Sequence, residues 1–399
     1  MAKRSMRELP LFRGASVLVR VDYNVPFEPG TGDISDDSRI TASVETIQHL
    51  KAVGCKVILC SHLGRPGGQR IEELTLAPIA RRLSEILRDG IAFVSDCIGP
   101  EPASTIKGMS NGDVALLENL RFHVGEEAND AVFSEQLARL ADFYVNDGFG
   151  AAHREHASTY GVAHYLPSAA GLLMEREIQA LNRVTESPEF PYAVVVGGAK
   201  VMDKLPLIRN LSDKADLFLI GGGMVASFLS AASQGTINLS VDDEERSLAE
   251  GILDNAQRSG YEVVIPVDVV AADRFAEDAE SRTCEPCEIP PGHIILDVGP
   301  KTVELYARRL AEARTTVWNG PMGVFEWEEF AQGTVGVAKA ISATQAAYTV
   351  IGGGSTSDAV TSLNLVDSYS HVSTGGGATL EFLEGKELPG IAALDSSSK

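Results

Sequence analysis

No apolar run in the 399-residue sequence approaches the roughly 20 residues that a membrane-spanning helix needs. The basic start, Lys3-Arg4-Ser5-Met6-Arg7, leads into no stretch of signal-peptide kind, so a cytoplasmic location is expected. Cysteine is scarce, and the five present (Cys55, Cys60, Cys97, Cys284 and Cys287) are an odd number in a large chain, which fits reduced thiols and not a disulfide framework. Cys284-Glu285-Pro286-Cys287 is a lone CxxC with no second Cys or His pair beside it, and reads as a surface loop rather than a zinc or redox site. Positive charge is also short. With 34 Lys and Arg against 55 Asp and Glu, the net charge of -21 argues against a nucleic-acid or membrane partner. A G-x-x-x-x-G-K-[ST] run is missing, which excludes a P-loop enzyme. The nearest dinucleotide pattern, Gly148-Phe149-Gly150-Ala151-Ala152-His153, places histidine where the third glycine belongs.

What is present is an ordinary globular composition, 44% hydrophobic and 22% charged, in a chain long enough for two domains. Short β-branched and apolar runs alternate with helical patterns throughout, the mark of an α/β fold with parallel sheets covered by helices. Strands are expected at residues 17–21, 56–60, 114–117 and 143–145, then at 193–196, 217–220, 263–267, 316–318, 348–351 and 371–373. Between the two sets, Met174, Ile178, Leu181 and Val184 recur at helical spacing with Glu175, Arg176 and Glu177 on the opposite side, before Pro188 and Pro191 break the pattern. The expected organisation is a domain over 1–168, a connecting helix and linker over 169–188, and a domain over 189–387. The residues from 388 to 399 are expected to be a terminal tail, not a further element, placed to pack back on the first domain.

Ligands of open α/β sheets collect at the carboxyl ends of strands, and the two halves differ there. After the first-half strands come Asp22-Tyr23-Asn24, Ser61-His62-Leu63-Gly64-Arg65, Glu118-Asn119-Leu120-Arg121 and the segment from Asn146 to Arg154, with Arg39 between the first two. A guanidinium is a fixed fork of donors that matches carboxylate and phosphate, so several arginines after strands point to a phosphorylated acid. Taken singly, each would read as a surface ion pair. His153 and His156, which flank Arg154, fit either packing or polar support. After the second-half strands come Gly197-Gly198-Ala199-Lys200, Gly221-Gly222-Gly223, Gly352-Gly353-Gly354-Ser355-Thr356 and Thr374-Gly375-Gly376-Gly377. Glycine lets backbone approach a ligand closely, and a helix N-terminus offers unpaired N–H groups, so four such turns suit phosphates. Lys200 and Lys204, if helical, share a face and bring two cations to a transferring phosphate.

In order along the chain, Arg20-Val21-Asp22-Tyr23-Asn24-Val25-Pro26, Ser61-His62-Leu63-Gly64-Arg65-Pro66, Glu118-Asn119-Leu120-Arg121-Phe122, Gly197-Gly198-Ala199-Lys200-Val201 with Asp203-Lys204, Val317-Trp318-Asn319-Gly320-Pro321 through Glu326, and Ser373-Thr374-Gly375-Gly376-Gly377 closely resemble phosphoglycerate kinase of bacterial type. The resemblance spans nearly the whole chain. It implies reversible phosphoryl transfer between ATP and 3-phosphoglycerate, giving ADP and 1,3-bisphosphoglycerate, in a monomer of two Rossmann-like domains that close by a hinge. Magnesium would arrive on the nucleotide. By motif, Asp22, Tyr23, Asn24, Arg39, His62, Leu63, Gly64, Arg65, Arg121 and Arg154 would hold 3-phosphoglycerate. Gly198, Ala199, Lys200, Lys204, Gly221, Gly222, Asn319, Gly320, Glu326, Gly352, Gly353, Gly354, Ser355 and Thr356 would surround the nucleotide, with Glu326 near the ribose. Gly375 and Gly376 would face the transferring phosphate, and Arg39 and Lys200 would be catalytic.

One position departs from the pattern. Most bacterial members read Gly-Gly-Gly-Asp where this chain has Gly352-Gly353-Gly354-Ser355, and that aspartate serves the magnesium. Serine is a poorer ligand for a hard cation. Ser355 as a helix N-cap, with Asp358 three residues on, is the favoured reading, and a metal contact through Asp358 or a water on Ser355 is the alternative. The departure leaves open a nucleotide-binding relative of weak kinase activity. An NAD-dependent dehydrogenase rests only on the doubly wound pattern.

Overall fold

A computed structural model describes residues 3–28, 30–233, 239–344 and 347–397. The chain divides into two compact units, one of Met1–Gln179 with Glu387–Lys399 and the other of Ala180–Lys386. Among the described residues no helix is long and apolar enough to cross a membrane.

In the first unit six strands, β1 (Ser16–Arg20), β2 (Lys56–Cys60), β3 (Ile91–Val94), β4 (Val114–Leu117), β5 (Phe143–Asn146) and β6 (Ser168–Ala170), form one parallel sheet in the order β3-β4-β2-β1-β5-β6. Val17, Val19, Val57, Leu59, Val114, Leu116 and Val145 are buried in one core, which is why these strands read as continuous apolar runs. Two strands were not expected. β3 is an edge strand with Ala92 and Phe93 exposed, so it lacks the buried pattern. β6 is Ser-Ala-Ala inside the stretch expected as linker; it has little strand preference of its own and is held by pairing with β5. The sheet's order changes direction between β1 and β5, and register aligns Arg20 with Cys60 and Asn146 at their carboxyl ends.

In the second unit β7 (Tyr192–Val196), β8 (Leu217–Ile220), β9 (Glu262–Val264), β13 (Thr315–Asn319), β14 (Tyr348–Gly352) and β15 (His371–Val372) form a parallel sheet in the order β15-β14-β13-β7-β8-β9. Numbered within the unit and read from the other edge, this is the 3-2-1-4-5-6 order of a Rossmann sheet, with its switch point between β7 and β13. β10 (Val269–Ala272), β11 (Ser281–Cys284) and β12 (Ile294–Val298) make a separate antiparallel sheet, in the order β11-β10-β12, that alternation of strands and helices did not announce. Cys284 lies on β11 and is buried, whereas Cys287 is exposed.

The helix Leu172–Glu186 follows β6. Its buried stripe is Met174, Glu177, Leu181 and Val184, so Glu177 lies in the apolar stripe at 0% exposure and Ile178 is only half-buried, the reverse of the expected faces. A spacing of three and four residues selects position 177. At its N-terminus the Asp147 carboxylate accepts from the backbone of Leu173 at 2.9 Å and Met174 at 3.2 Å. The terminal segment is not a bare tail: Pro389–Ala392 forms a helical turn, started by proline at its first position. Asn146 donates to the Gly390 carbonyl at 3.0 Å, and Lys3 to that of Ala392 at 2.6 Å. Residues 398 and 399 lie outside the described residues.

Candidate active site

In the first unit the loops after β1, β2 and β4 are tied to one another by polar groups. Asn119, fully buried after β4, accepts from the backbone of Leu63 at 3.2 Å and Arg121 at 3.1 Å, and donates to the carbonyls of Leu63 and Leu74 at 2.8 and 2.9 Å. Asn24 accepts from the Gly64 backbone at 2.9 Å, and Gly64 returns a carbonyl to Arg121 at 2.8 Å. Arg39 is held by Asp22 at 3.1 Å and by the Asn24 carbonyl at 3.1 Å. A set of three loops therefore behaves as one surface.

The electrostatics of that surface are strongly positive. His62 is 8% exposed, and its pKa is lowered well below the ordinary value by burial first, then by Arg20, Arg121, His156 and Arg39. His156 is pushed down to about 4 by burial and then by Arg121, Arg20 and Arg154. Both rings are neutral near pH 7. Arg65 and Arg154 are exposed, with no carboxylate paired to either among the described residues. In a chain of net charge -21, this concentration of cation selects a small anion.

Two expected contacts are placed elsewhere. The Tyr23 side chain is fully buried, its hydroxyl 2.7 Å from Ser43 Oγ, and Leu63 is packed into the core. Only their backbones reach the loops. Arg20 was quoted in the motif but not counted in the site. It is 1% exposed, donates from Nε to Ser158 Oγ at 2.9 Å, and places Nη2 3.0 Å from His62 Nδ1. The signal was legible: a charge closing the strand Ser-Val-Leu-Val-Arg is costly unless something needs it.

In the second unit a cavity of about 540 Å³ opens at the carboxyl ends of β7, β13 and β14. Gly198, Ala199, Lys204, Asn319, Gly320, Gly353, Gly354, Ser355, Thr356 and Gly376 line it, all expected, together with Asp203, Pro321, Gly377 and Leu380, which were not. Lys200, Gly221, Gly222, Glu326, Gly352 and Gly375 are not among its lining residues. Gly222 (φ 69°), off the cavity, and Gly320 (φ 98°), on it, are both tightly packed: a Cβ on Gly222 would stand 2.5 Å from the Gly198 backbone, and one on Gly320 2.2 Å from the Gly197 carbonyl. Both turns need positive φ and close backbone contact.

Lys204 Nζ stands 2.5 Å from Asn319 Oδ1, and burial lowers the lysine's pKa, with Asp203 and Glu384 opposing the shift. Asn319 Nδ2 is buried with no protein partner, a donor left over beside the Gly353 turn. Thr356, fully buried, accepts from the Gly320 backbone at 2.8 Å and so ties the turns after β13 and β14 together. The helices Gly354–Ser362 and Gly377–Leu383 begin on this cavity, each after a glycine with no side-chain cap. Their first N–H groups, with Lys204 and Asn319, are donors of the kind a phosphate accepts from.

Three local expectations are corrected. The N-cap of Gly354–Ser362 is Gly353 (φ 96°), so Ser355 is an exposed second residue of the helix and caps nothing; the left-handed glycine starts the helix two residues earlier than serine would. Asp358 does not line the cavity. Lys200 is itself the extended N-cap of Val201–Leu211, so it does not share a helical face with Lys204. That helix also has less to offer a phosphate, because Glu245 accepts from the backbone of Val201 at 2.6 Å and Met202 at 3.4 Å.

The family model described as phosphoglycerate kinase matches residues 6–386. A protein named phosphoglycerate kinase from Microcystis aeruginosa is 49% identical over 387 residues, covering 96% of each chain. One from Moorella thermoacetica is 48% identical over 394 residues and 99% of each. The solved phosphoglycerate kinase of Coxiella burnetii superposes with a TM-score of 0.87 at 40% identity, and that of Pyrococcus horikoshii with 0.80 at 35%, each over 98% of both chains. The two parallel-sheet units agree with these likenesses, and the chain belongs to the phosphoglycerate kinase family of enzymes.

Proposed function

We propose that the first unit holds 3-phosphoglycerate on Arg39, Arg65, Arg121, Arg154 and neutral His62, that the second holds ATP or ADP on the Lys204–Asn319–Thr356 cavity, and that Arg39 and Lys200 stabilise the phosphoryl group in transit. The observation that carries this reading is the convergence of Arg20, Arg39 and Arg121 on His62, an anion site in a strongly acidic protein. The transferring group spreads its charge over equatorial oxygens, so positioning and compensating cations suffice and no covalent enzyme intermediate is needed. Closure of the two domains on their substrates would exclude water from competing for the phosphoryl group.

The cavity's oxygen donors fit a cation that comes with the nucleotide. Asp203 is its one carboxylate among the described residues and Ser355 presents a hydroxyl, too few to build an all-protein site for magnesium, which keeps several waters and is bound through substrate phosphates. Asp203 and Ser355 are the side chains that would face it, and the ion would neutralise phosphate charge. An assay coupling ATP and 3-phosphoglycerate to product consumption tests the reading. Turnover that requires both substrates is the expected result; nucleotide binding without turnover would overturn the catalytic assignment.

A further inference from the structure

The loops after β3 and β4 carry a second cluster that the phosphoryl-transfer reading leaves unused. Asp96, Cys97 and His123 each bring one donor atom within 4.8 Å of the other two. His123 Nε2 is 2.7 Å from Asp96 Oδ1, and the Cys97 backbone donates to the same oxygen at 2.6 Å, which fixes the carboxylate's direction. Phe133, itself buried, lies against the imidazole with ring centroids 5.3 Å apart. The thiol is buried, while Asp96 and His123 keep 40% and 31% of their side chains exposed, so the cluster is closed beneath and open to solvent above. Among the described residues it is the one such group of three, and the Cys284–Cys287 pair forms none.

We propose that Asp96, Cys97 and His123 form a zinc site, with water as the fourth ligand. One thiolate and one carboxylate balance the charge of the dication, and a sulfur donor beside imidazole favours zinc over magnesium or calcium. Bond lengths of about 2.0–2.3 Å in a tetrahedron put donors roughly 3.4–3.6 Å apart, so the Asp96–His123 pair must open by about 0.7 Å and the thiol close by up to about 1.2 Å. On binding, Cys97 releases its proton to solvent and His123 presents the lone pair of one ring nitrogen while the other keeps its hydrogen. The ion would then join the β3 loop to the turn that carries Arg121, two residues before His123.

Cobalt(II) titrated into the metal-free, full-length protein tests the assignment, because its absorption reports thiolate ligation directly. One equivalent with a thiolate-to-cobalt band, displaced by zinc, is expected for wild type and for Cys284→Ala/Cys287→Ala. Loss of the band is expected in Cys97→Ala and at least a tenfold weaker binding in His123→Ala, with folding of each checked by circular dichroism. A wild-type protein without the band, or a band lost only in the Cys284/Cys287 double variant, overturns it. Should Cys97→Ala fail to fold, His123→Ala decides, and unchanged cobalt affinity there overturns the site.

Discussion

The Nη2 atom of Arg20 stands 3.0 Å from Nδ1 of His62. A guanidinium has only donors, so Nδ1 is the acceptor and the ring's single proton sits on Nε2. Arg20 thus sets the tautomer of His62 without being exposed itself, and burial with the surrounding cations keeps that ring neutral. Nitrogen-15 NMR of His62 should show the Nε2–H form with no titration near pH 6.5. Arg20→Lys, which keeps the positive charge but loses the fork, should raise KM for 3-phosphoglycerate by roughly tenfold or more and free the tautomer. An unaltered His62 spectrum in that variant would remove Arg20 from the site.

Arg39 and Lys200 divide differently. If both act on the phosphoryl group in transit, Arg39→Ala and Lys200→Ala should each lower kcat by at least about 100-fold, the range seen when one transition-state donor is removed. Nucleotide affinity, measured by calorimetry, should stay within about threefold in Lys200→Ala, since that side chain is not among those lining the nucleotide cavity. Near-normal turnover in either variant would end the catalytic assignment.

Thr356 gives a stability test inside the nucleotide site. Thr356→Val orphans the buried Gly320 N–H, which should cost about 1–3 kcal/mol in urea unfolding, while Thr356→Ser retains the bond and most of the stability. Nucleotide binding should weaken in the valine variant alone, because the two turns lose their tie.

Magnesium dependence should respond to Ser355. Placing a carboxylate on that exposed helix position, Ser355→Asp should lower the magnesium concentration needed for half-maximal turnover and tighten magnesium-dependent ADP binding, whereas Asp203→Asn should do the opposite. Equal magnesium titrations in all three proteins would mean that the ion is held by phosphates and water without either side chain.

Asp147 predicts a pH effect of defined sign. Burial raises its pKa from 3.8 to about 6 despite the N–H groups it accepts. A raised folded pKa means that the folded state binds the proton more tightly, so the stabilisation is complete below pH 3.8 and is lost as pH rises through about 6. Asp147→Asn keeps an acceptor for the helix Leu172–Glu186 without the buried charge. Its stability relative to wild type should therefore rise between pH 4 and 7, by up to about 3 kcal/mol, and level off above. Denaturant unfolding at pH 4, 5.5 and 7.5 measures this, and a gap that shrinks with rising pH would contradict it.

The sequence by itself determined the two parallel sheets, the run of arginines after the first and of glycine turns after the second. Strands buried on both faces must be apolar along their whole length, and ligand loops at their ends must carry the charge or the glycine the ligand needs, so both facts are written in adjacent residues. The motif likeness that named the family has the same origin. Only the tertiary structure decided matters that depend on partners distant in the chain. Ser-Ala-Ala at 168–170 is a strand because β5 lies beside it, and Glu177 is buried although Arg176 before it is exposed and the apolar Ile178 after it is only half-buried. Ser355 is displaced from the cap by the left-handed Gly353, and Glu245, some 44 residues away, takes the N–H groups that Lys200's helix offers. Arg20 became part of the site when β1 and β2 paired in a register that sets it beside His62. Hydrogen bonds and burial act over a few ångströms of space without regard to separation along the chain, and that distance is what a linear pattern cannot contain.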